Sequence, residues 1–331
     1  MFKSKLNPVL FIAEVGSNHE GNFAEAKRLV INASKSNADV IKLQIFTPEN
    51  MVSKKYDLKR FNHFKKLQLN RSQNLKLLKI IKSFKKKTSA SIWDVDQIKF
   101  FKNYIDIFKV GSGDIHNLQI IKKIKETKKP LIISTGLSNF KEIKFTIDFI
   151  NKIDRNYLKK KKLAILHCNT SYPTPLTDSN LGTIKFLEDQ FNIDVGYSDH
   201  TIGDEILVYA YLSGAKIIEK HFSNSIKKKT FRDHSISLNK KLVDRFLNKS
   251  KEISLYLKIK KEITKSEKNQ NNLYSFRRSI FARRDIKKNE NFSEKNIICL
   301  RPYLNNSSIK YFKLIKQKSK KKYQKGDLIN I

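Results

Sequence analysis

The stretch Leu10-Phe-Ile-Ala-Glu-Val-Gly-Ser-Asn-His-Glu-Gly-Asn-Phe-Ala-Glu-Ala-Lys-Arg-Leu-Val-Ile-Asn-Ala-Ser-Lys-Ser-Asn-Ala-Asp-Val-Ile-Lys-Leu-Gln44 holds one complete structural unit. Its first apolar run reads as a strand, Leu10–Val15. Ala24–Ser36 then places Ala26, Leu29, Val30 and Ala33 on one helical face. Val40–Gln44 is a second β-rich run. A strand, a helix and a strand in this order make a parallel pair with a crossover. Working outward, the unit recurs. Strands are expected at Ser89–Asp94, Phe108–Gly111, Leu131–Thr135, Leu163–Cys168, Asp194–Ser198 and Lys216–Phe222. Amphipathic segments at Gln73–Lys86, Ile115–Thr127, Phe140–Ile153, Leu181–Phe191 and Gly203–Leu212 separate them. Eight strands alternating with helices, in about 225–250 residues, fit a (β/α)8 TIM barrel. A doubly wound sheet is the competitor, and the count of eight favours the barrel.

Beyond Leu247 the pattern changes. The expected domains are a barrel at 1–247, a Lys/Asn/Ser/Glu-rich linker at 248–272, and a small β-rich domain at 273–331. In the last, Ser279–Ala282 and Asn296–Leu300 read as strands.

The chain has 331 residues and a formal net charge of +37. With 39% hydrophobic residues it can bury a sizeable core. No apolar run approaches the about 18 residues of a membrane span. The start reads as a first strand rather than a secretory signal, because the apolar run Val9–Val15 is short and contains Glu14. Cys168 and Cys299 do not make a disulfide framework. A cytoplasmic location is the expectation. The charge first suggests nucleic acid, but 57 of the 68 basic residues are Lys, and Gly and Pro number only 10 and 6. An A/T-rich codon bias explains abundant Lys, Asn, Ile and Phe without a polyanionic partner. A polyanion-binding protein on a degenerate barrel is the remote alternative. The expectation is therefore no nucleic acid and no membrane partner.

In a barrel, chemistry belongs at the C-terminal strand ends. There the expected strands carry Glu14, Lys42, Lys109 with Ser112 and Asp114, Ser134, Thr170 with Tyr172, Ser198 with His200, and Glu219-Lys-His221. Lys42 and Lys109 with Ser112 and Ser134 suit a phosphate or carboxylate, since lysine is a point-charge anion binder. His200 and His221, ending neighbouring strands, suit either a divalent metal or two satisfied core imidazoles. Cys168 reads as a small buried hydrophobe. Gly111-Ser-Gly113 is too short for a dinucleotide fingerprint.

These segments carry a resemblance. Phe11–Gly21, Ala38–Gln44, Phe108–Asp114, Ile132–Gly136, His167-Cys168 through Tyr172-Pro-Thr-Pro175, Gly196-Tyr-Ser-Asp-His-Thr201 and Ile218–Phe222 are similar to the sialic acid synthase family, including legionaminate and pseudaminate synthases. Arg277-Arg-Ser-Ile-Phe-Ala and Asp285-Ile-Lys-Lys resemble that family's antifreeze-like (SAF) domain. The match runs through essentially the whole chain in order.

The resemblance implies condensation of phosphoenolpyruvate with an N-acetylated hexosamine, typically N-acetylmannosamine, to a nine-carbon 2-keto acid with release of phosphate. Legionaminate or pseudaminate relatives would take a di-N-acetylated deoxyhexose instead. It implies that Lys42, Lys109, Ser112, Ser134, Thr170 and Ser198 hold phosphoenolpyruvate. His200 and His221 would bind a divalent metal, Mn2+ or Mg2+. Glu14 would orient the sugar aldehyde or manage the water. Asp114, Tyr172 and Asp233 would bind sugar hydroxyls, and Arg278 would reach the N-acetyl group in the partner's site of a domain-swapped homodimer. The chain departs from the family at Thr170 (Asn in many members), at Phe231-Arg232-Asp233-His234 (usually Gly-Pro-Asp-His), at Ser91-Ile-Trp-Asp94, and at Asp114 in place of Glu. The departures gather on the sugar side.

Overall fold

The computed structural model describes residues 1–225, 231–269, 271–304 and 306–330. The chain divides into two units, Met1–Leu257 and Lys258–Ile331. In the first, eight parallel strands close in sequence order: β1 (Leu10–Glu14), β2 (Val40–Ile45), β3 (Lys87–Ile92), β4 (Ile107–Val110), β5 (Leu131–Ser134), β6 (Leu163–Cys168), β7 (Asp194–Asp199) and β8 (Ile217–His221). Each overlaps its expected strand. β1 pairs with both β2 and β8, Ile12 opposite Val40 and Leu10 opposite Ile217. That closure makes the fold a (β/α)8 barrel and excludes the doubly wound sheet.

The two-residue period of a strand decides what each side chain meets. Leu10, Ile12, Val40, Ile107, Ile132, Ala164, Leu166 and Ile217 point inward and, with Phe2, fill the barrel floor. Their neighbours, such as Phe11, Ala13, Ile41 and Ile218, pack outward against the helices. Two residues further along the inner face the floor gives way to polar groups. Gly196 makes this interior possible: a Cβ there would lie 2.2 Å from the Ile217 carbonyl oxygen.

The helices follow local signals. Phe23–Ser34 is capped by Asn22, whose side chain accepts from the Glu25 amide, and it buries Ala26, Leu29, Val30 and Ala33. Phe140–Ile153 opens with a reciprocal box between Asn139 and Glu142. In the first unit, the helices outside the expected set include Leu58–Leu67, Val95–Phe101, Arg155–Lys159 and Lys240–Tyr256. The helix Leu58–Leu67 places Leu58, Phe61, Phe64 and Leu67 at three-residue spacing, of which Phe61 and Leu67 are buried.

The domain boundary moves. The helix Lys240–Tyr256 buries Val243, Phe246, Leu247, Ser250 and Ile253, so its apolar period runs past Asn248. The expected linker at 248–272 is thus a barrel helix up to Tyr256, and the first unit ends at Leu257. In the second unit, β9 (Ser279–Ala282) pairs antiparallel with β10 (Ile297–Leu300). Ile280, Ile286, Phe292, Ile297, Leu314, Tyr323 and Ile329 form its core. Among the described residues no helix is long and apolar enough to cross a membrane.

Candidate active site

The inner face of the barrel opens at its C-terminal end into a cavity of about 660 Å³. Twelve of the residues singled out from the sequence line it: Glu14, Lys42, Lys109, Ser112, Asp114, Ser134, Thr170, Tyr172, Ser198, His200, His221 and Asp233. Arg278 belongs to the second unit, where its Nη1 donates to the Cys299 carbonyl (2.8 Å).

At the bottom of the cavity two lysines and two carboxylates share one buried cluster. Lys42 Nζ is ion-paired with Glu14 Oε2 and lies 3.3 Å from Glu219 Oε1. Lys109 Nζ lies 3.3 Å from the same Glu219 oxygen and donates to Ser134 Oγ (2.6 Å). Ser198 Oγ donates to Glu219 Oε1 (3.1 Å). Burial opposes the charge on Lys42, but Glu14 and Glu219 outweigh it and hold the ammonium above its ordinary range. Lys109 is lowered: burial dominates, Glu219 compensates in part, and the charge of Lys42 adds repulsion. Burial opposes the negative charge of Glu219 too, yet Lys109 and Lys42 hold it well below the usual carboxylate range. Glu14 is oriented from its other side by Gln44, whose Nε2 donates to Glu14 Oε1 (2.8 Å).

Ser112 sits at the start of the short turn Ser112–Asp114 after β4, and its Oγ accepts from the Gly136 amide (3.1 Å). A Cβ at Gly136 would lie 2.2 Å from Thr170 Oγ1 and 2.8 Å from Ser112 Oγ. The glycine after β5 therefore lets three strand ends converge. Burial raises the Asp114 carboxyl, against a hydrogen bond from Asn117.

On the opposite wall, the His200 and His221 rings lie 5.6 Å apart between centroids. His200 Nδ1 is 2.7 Å from the Asn169 carbonyl oxygen, which occupies that nitrogen and leaves the other. Burial, then the neighbouring His221, lowers His200 to about 4, so its imidazole is neutral at physiological pH. The Tyr172 and His200 ring centroids lie 4.2 Å apart with the planes tilted by 32°, and the Arg232 guanidinium lies 4.4 Å above Tyr172. Cys168 Sγ lies 3.7 Å from His200 Nδ1, and burial raises its thiol, which keeps it a protonated lining group.

Three buried polar atoms facing this space have no hydrogen-bond partner among the described residues: Thr170 Oγ1, Glu219 Oε2 and His221 Nδ1. Other such atoms lie elsewhere among the described residues, but these three share one cavity, where a ligand, ion or water would complete their bonding. For a divalent cation the donors fit. Two imidazoles face each other, the His221 orphan nitrogen lies 3.9 Å from Asp233 Oδ2, and neutral imidazole is a common ligand. No cluster of three or more His, Cys, Asp or Glu set to hold a metal occurs among the described residues. Any remaining positions would fall to water or substrate.

Several lining residues went unassigned in the sequence. Glu219 was legible, because period two from His221 puts it on the same face. The outer wall was not. Met51, Asp57, Arg60, His63 and Phe64 come from the β2 loop and the unexpected helix Leu58–Leu67. His63 stacks on Phe231 across the mouth, with centroids 6.4 Å apart.

Fold and site together define a class: a (β/α)8 barrel with a polar, lysine-bearing cavity at the C-terminal end of its strands. A NeuB family model matches residues 29–262, and the chain belongs to that family. It is 34% identical to an N,N'-diacetyllegionaminic acid synthase of Campylobacter jejuni, covering 98% of this chain and 99% of the relative. It is 30% identical to a pseudaminic acid synthase of the same organism, covering 97% and 95%. Among solved structures, an N-acetylneuraminic acid synthetase from Leptospira borgpetersenii in complex with citrate superposes with a TM-score of 0.71 at 28% identity. That match covers 80% of this chain and 91% of the other. The expected sialic acid synthase family is thereby established.

Proposed function

We propose that the chain condenses phosphoenolpyruvate with an N-acetylated hexosamine, giving a nine-carbon 2-keto sugar acid and inorganic phosphate. The observation that carries this reading is the buried Lys42–Lys109 pair in a cavity that also holds three orphaned polar atoms. Ser112, Ser134, Thr170 and Ser198 add hydroxyls on the same side. Such a set holds a multiply charged anion by point charge and short donors.

In the proposed reaction, C3 of phosphoenolpyruvate attacks the aldehyde carbon of the open-chain sugar and a C–C bond forms. Positive charge develops at C2, and water adds there. The C2–O bond to phosphate then breaks, so the phosphate carries away the bridging oxygen. Lys42 and Lys109 hold the anion and stabilise the charge on the leaving phosphate. Glu14, held by Lys42 and Gln44, orients the aldehyde or takes the proton of the water. His200 and His221 would hold a divalent cation, Mn2+ or Mg2+. Such a cation, when bound, supplies Lewis-acid polarisation of a carbonyl. Asp114, Tyr172 and Asp233 would meet the sugar hydroxyls. The second unit would be the antifreeze-like domain, bringing Arg278 to the N-acetyl group in a partner subunit of a domain-swapped dimer.

The outer wall supports a narrower reading of the sugar, a di-N-acetylated deoxyhexose of the legionaminate or pseudaminate type. Met51, Val52, Phe64, Trp93, Leu137 and Phe231 line the cavity among polar residues such as Asp57, Arg60, His63 and Arg232, and would give methyl and acetamido groups apolar contacts there. The test is phosphate release measured with each component omitted in turn. Release that requires phosphoenolpyruvate, sugar and divalent metal together supports the proposal. No release with any of several N-acetylated and di-N-acetylated hexoses overturns it.

A further inference from the structure

One buried ion pair beside the site has no part in the chemistry above. Lys220 and Asp199 stand opposite each other in the β7–β8 register. Period two turns them away from the cavity, while Ser198, Glu219 and His221 face into it. Both side chains are completely buried. Lys220 Nζ donates to Asp199 Oδ2 and to the Thr201 carbonyl (2.6 Å). Asp199 Oδ1 accepts from the Thr201 amide (2.9 Å), and Oδ2 from Thr201 Oγ1 (3.1 Å). His200 is thus the middle residue of a turn fastened at both ends. The fastener, Lys220, is the residue before His221.

A buried ion pair is weak evidence for stability, because apolar residues of similar volume commonly serve as well. What an apolar pair cannot do is aim several hydrogen bonds at once. Here one ammonium and one carboxylate fix the backbone on either side of His200 to the backbone of His221. We propose that Lys220, Asp199 and Thr201 form a positioning device that sets the two imidazoles at the separation and orientation needed to hold a divalent cation. This rests on the reading of His200 and His221 as cation ligands. Groups behind the ligands of a metal site commonly act this way, and losing one costs about 10- to 100-fold in affinity.

The test uses the full-length protein, Mn2+ as the probe, and two readouts: bound Mn2+ from the loss of the free-ion electron paramagnetic resonance signal, and thermal unfolding without metal. The parent is expected to bind Mn2+. The paired variant Lys220→Met/Asp199→Val replaces the ions with apolar groups. It is expected to melt at a lower temperature while still folded at the assay temperature, since the buried Thr201 amide, hydroxyl and carbonyl lose their partners, and to bind Mn2+ about 10- to 100-fold more weakly. Thr201→Val removes one hydroxyl and leaves the ion pair, so it decides the matter even where the paired variant fails to fold. It is expected to weaken Mn2+ about tenfold with little change in unfolding. A parent that binds no Mn2+ overturns the cation reading and this proposal with it. A parent that binds Mn2+, with Thr201→Val or the folded paired variant retaining parental affinity, leaves the cation reading standing and overturns the positioning role.

Discussion

Replacing Lys109 by Met keeps the length of the side chain and removes its charge. In the parent, Glu219 is clamped between Lys109 and Lys42, each 3.3 Å from the same oxygen, with a third bond from Ser198. Removing one partner of a buried ion pair costs about 3–5 kcal/mol, because the other charge is left uncompensated. Lys42 remains beside Glu219, which places the loss near about 3 kcal/mol. For a unit of this size that lowers the unfolding temperature by about 6–12 °C. Adding Glu219→Gln in the same background removes the stranded carboxylate, so stability returns to within about 1 kcal/mol of the parent. Phosphate release does not return, because the anion has lost Lys109. The assays are thermal melts and a phosphate-release rate on all three proteins. A double variant as unstable as Lys109→Met alone would refute the reasoning, since the stranded carboxylate would not be the cause. A fully active Lys109→Met would refute the assigned role of the lysine.

Other outcomes follow from the same geometry. Burial, opposed by Glu20, lowers His19 to about 4 from an ordinary 6.5. The unfolded chain therefore binds a proton that the folded one refuses. This stabilising contribution is complete above pH 6.5 and is lost as pH falls toward 4, by up to about 3 kcal/mol. His200 titrates in the same window, so His19→Asn should remove part of the acid-side decline in denaturant midpoints; an unchanged decline rejects the assignment. Gly136→Ala drives a methyl into Thr170 Oγ1 and Ser112 Oγ, and a displacement near 1 Å at a reacting centre costs about 100-fold. The expected loss is in steady-state kcat/KM for phosphoenolpyruvate, and parental kcat/KM would contradict it. Thr170→Val removes an orphaned hydroxyl. Direct titration should show weaker phosphoenolpyruvate binding with an unfolding temperature equal to or above the parent's, and unchanged binding would leave the hydroxyl without a ligand role.

Much of this was written in the sequence through one rule. A strand shows alternate residues to one face, so once eight strands were placed, the inward residues at their ends followed. Glu14, Lys42, Lys109, Ser134 and Ser198 all obey it. What that rule could not reach is held by loops. Helix Leu58–Leu67 carries Leu58, Phe61, Phe64 and Leu67 at three-residue spacing, but it lies in the connection after β2, which the strand rule does not cover, and it supplies His63 and Phe64 to the wall. Phe231 and Arg232 stood out as departures from the family motif, but nothing in their spacing shows that one meets His63 and the other stacks on Tyr172. Glu219 was visible at the end of the eighth strand, but its place between two lysines is a tertiary contact that strand period does not give. Domain limits failed for a similar reason: lysine and asparagine around residue 250 read as linker, while Ser250 and Ile253 continue a buried helical face.

The central claim is a carbon–carbon bond between phosphoenolpyruvate and an N-acetylated hexosamine. Mass spectrometry of the products tests it most directly, with the enzyme, divalent metal, phosphoenolpyruvate and a panel of mono- and di-N-acetylated hexoses. The account predicts, for at least one sugar, a new acid whose mass is the sugar plus a pyruvate unit, in step with one inorganic phosphate. Pyruvate and phosphate appearing with every sugar unchanged would contradict it.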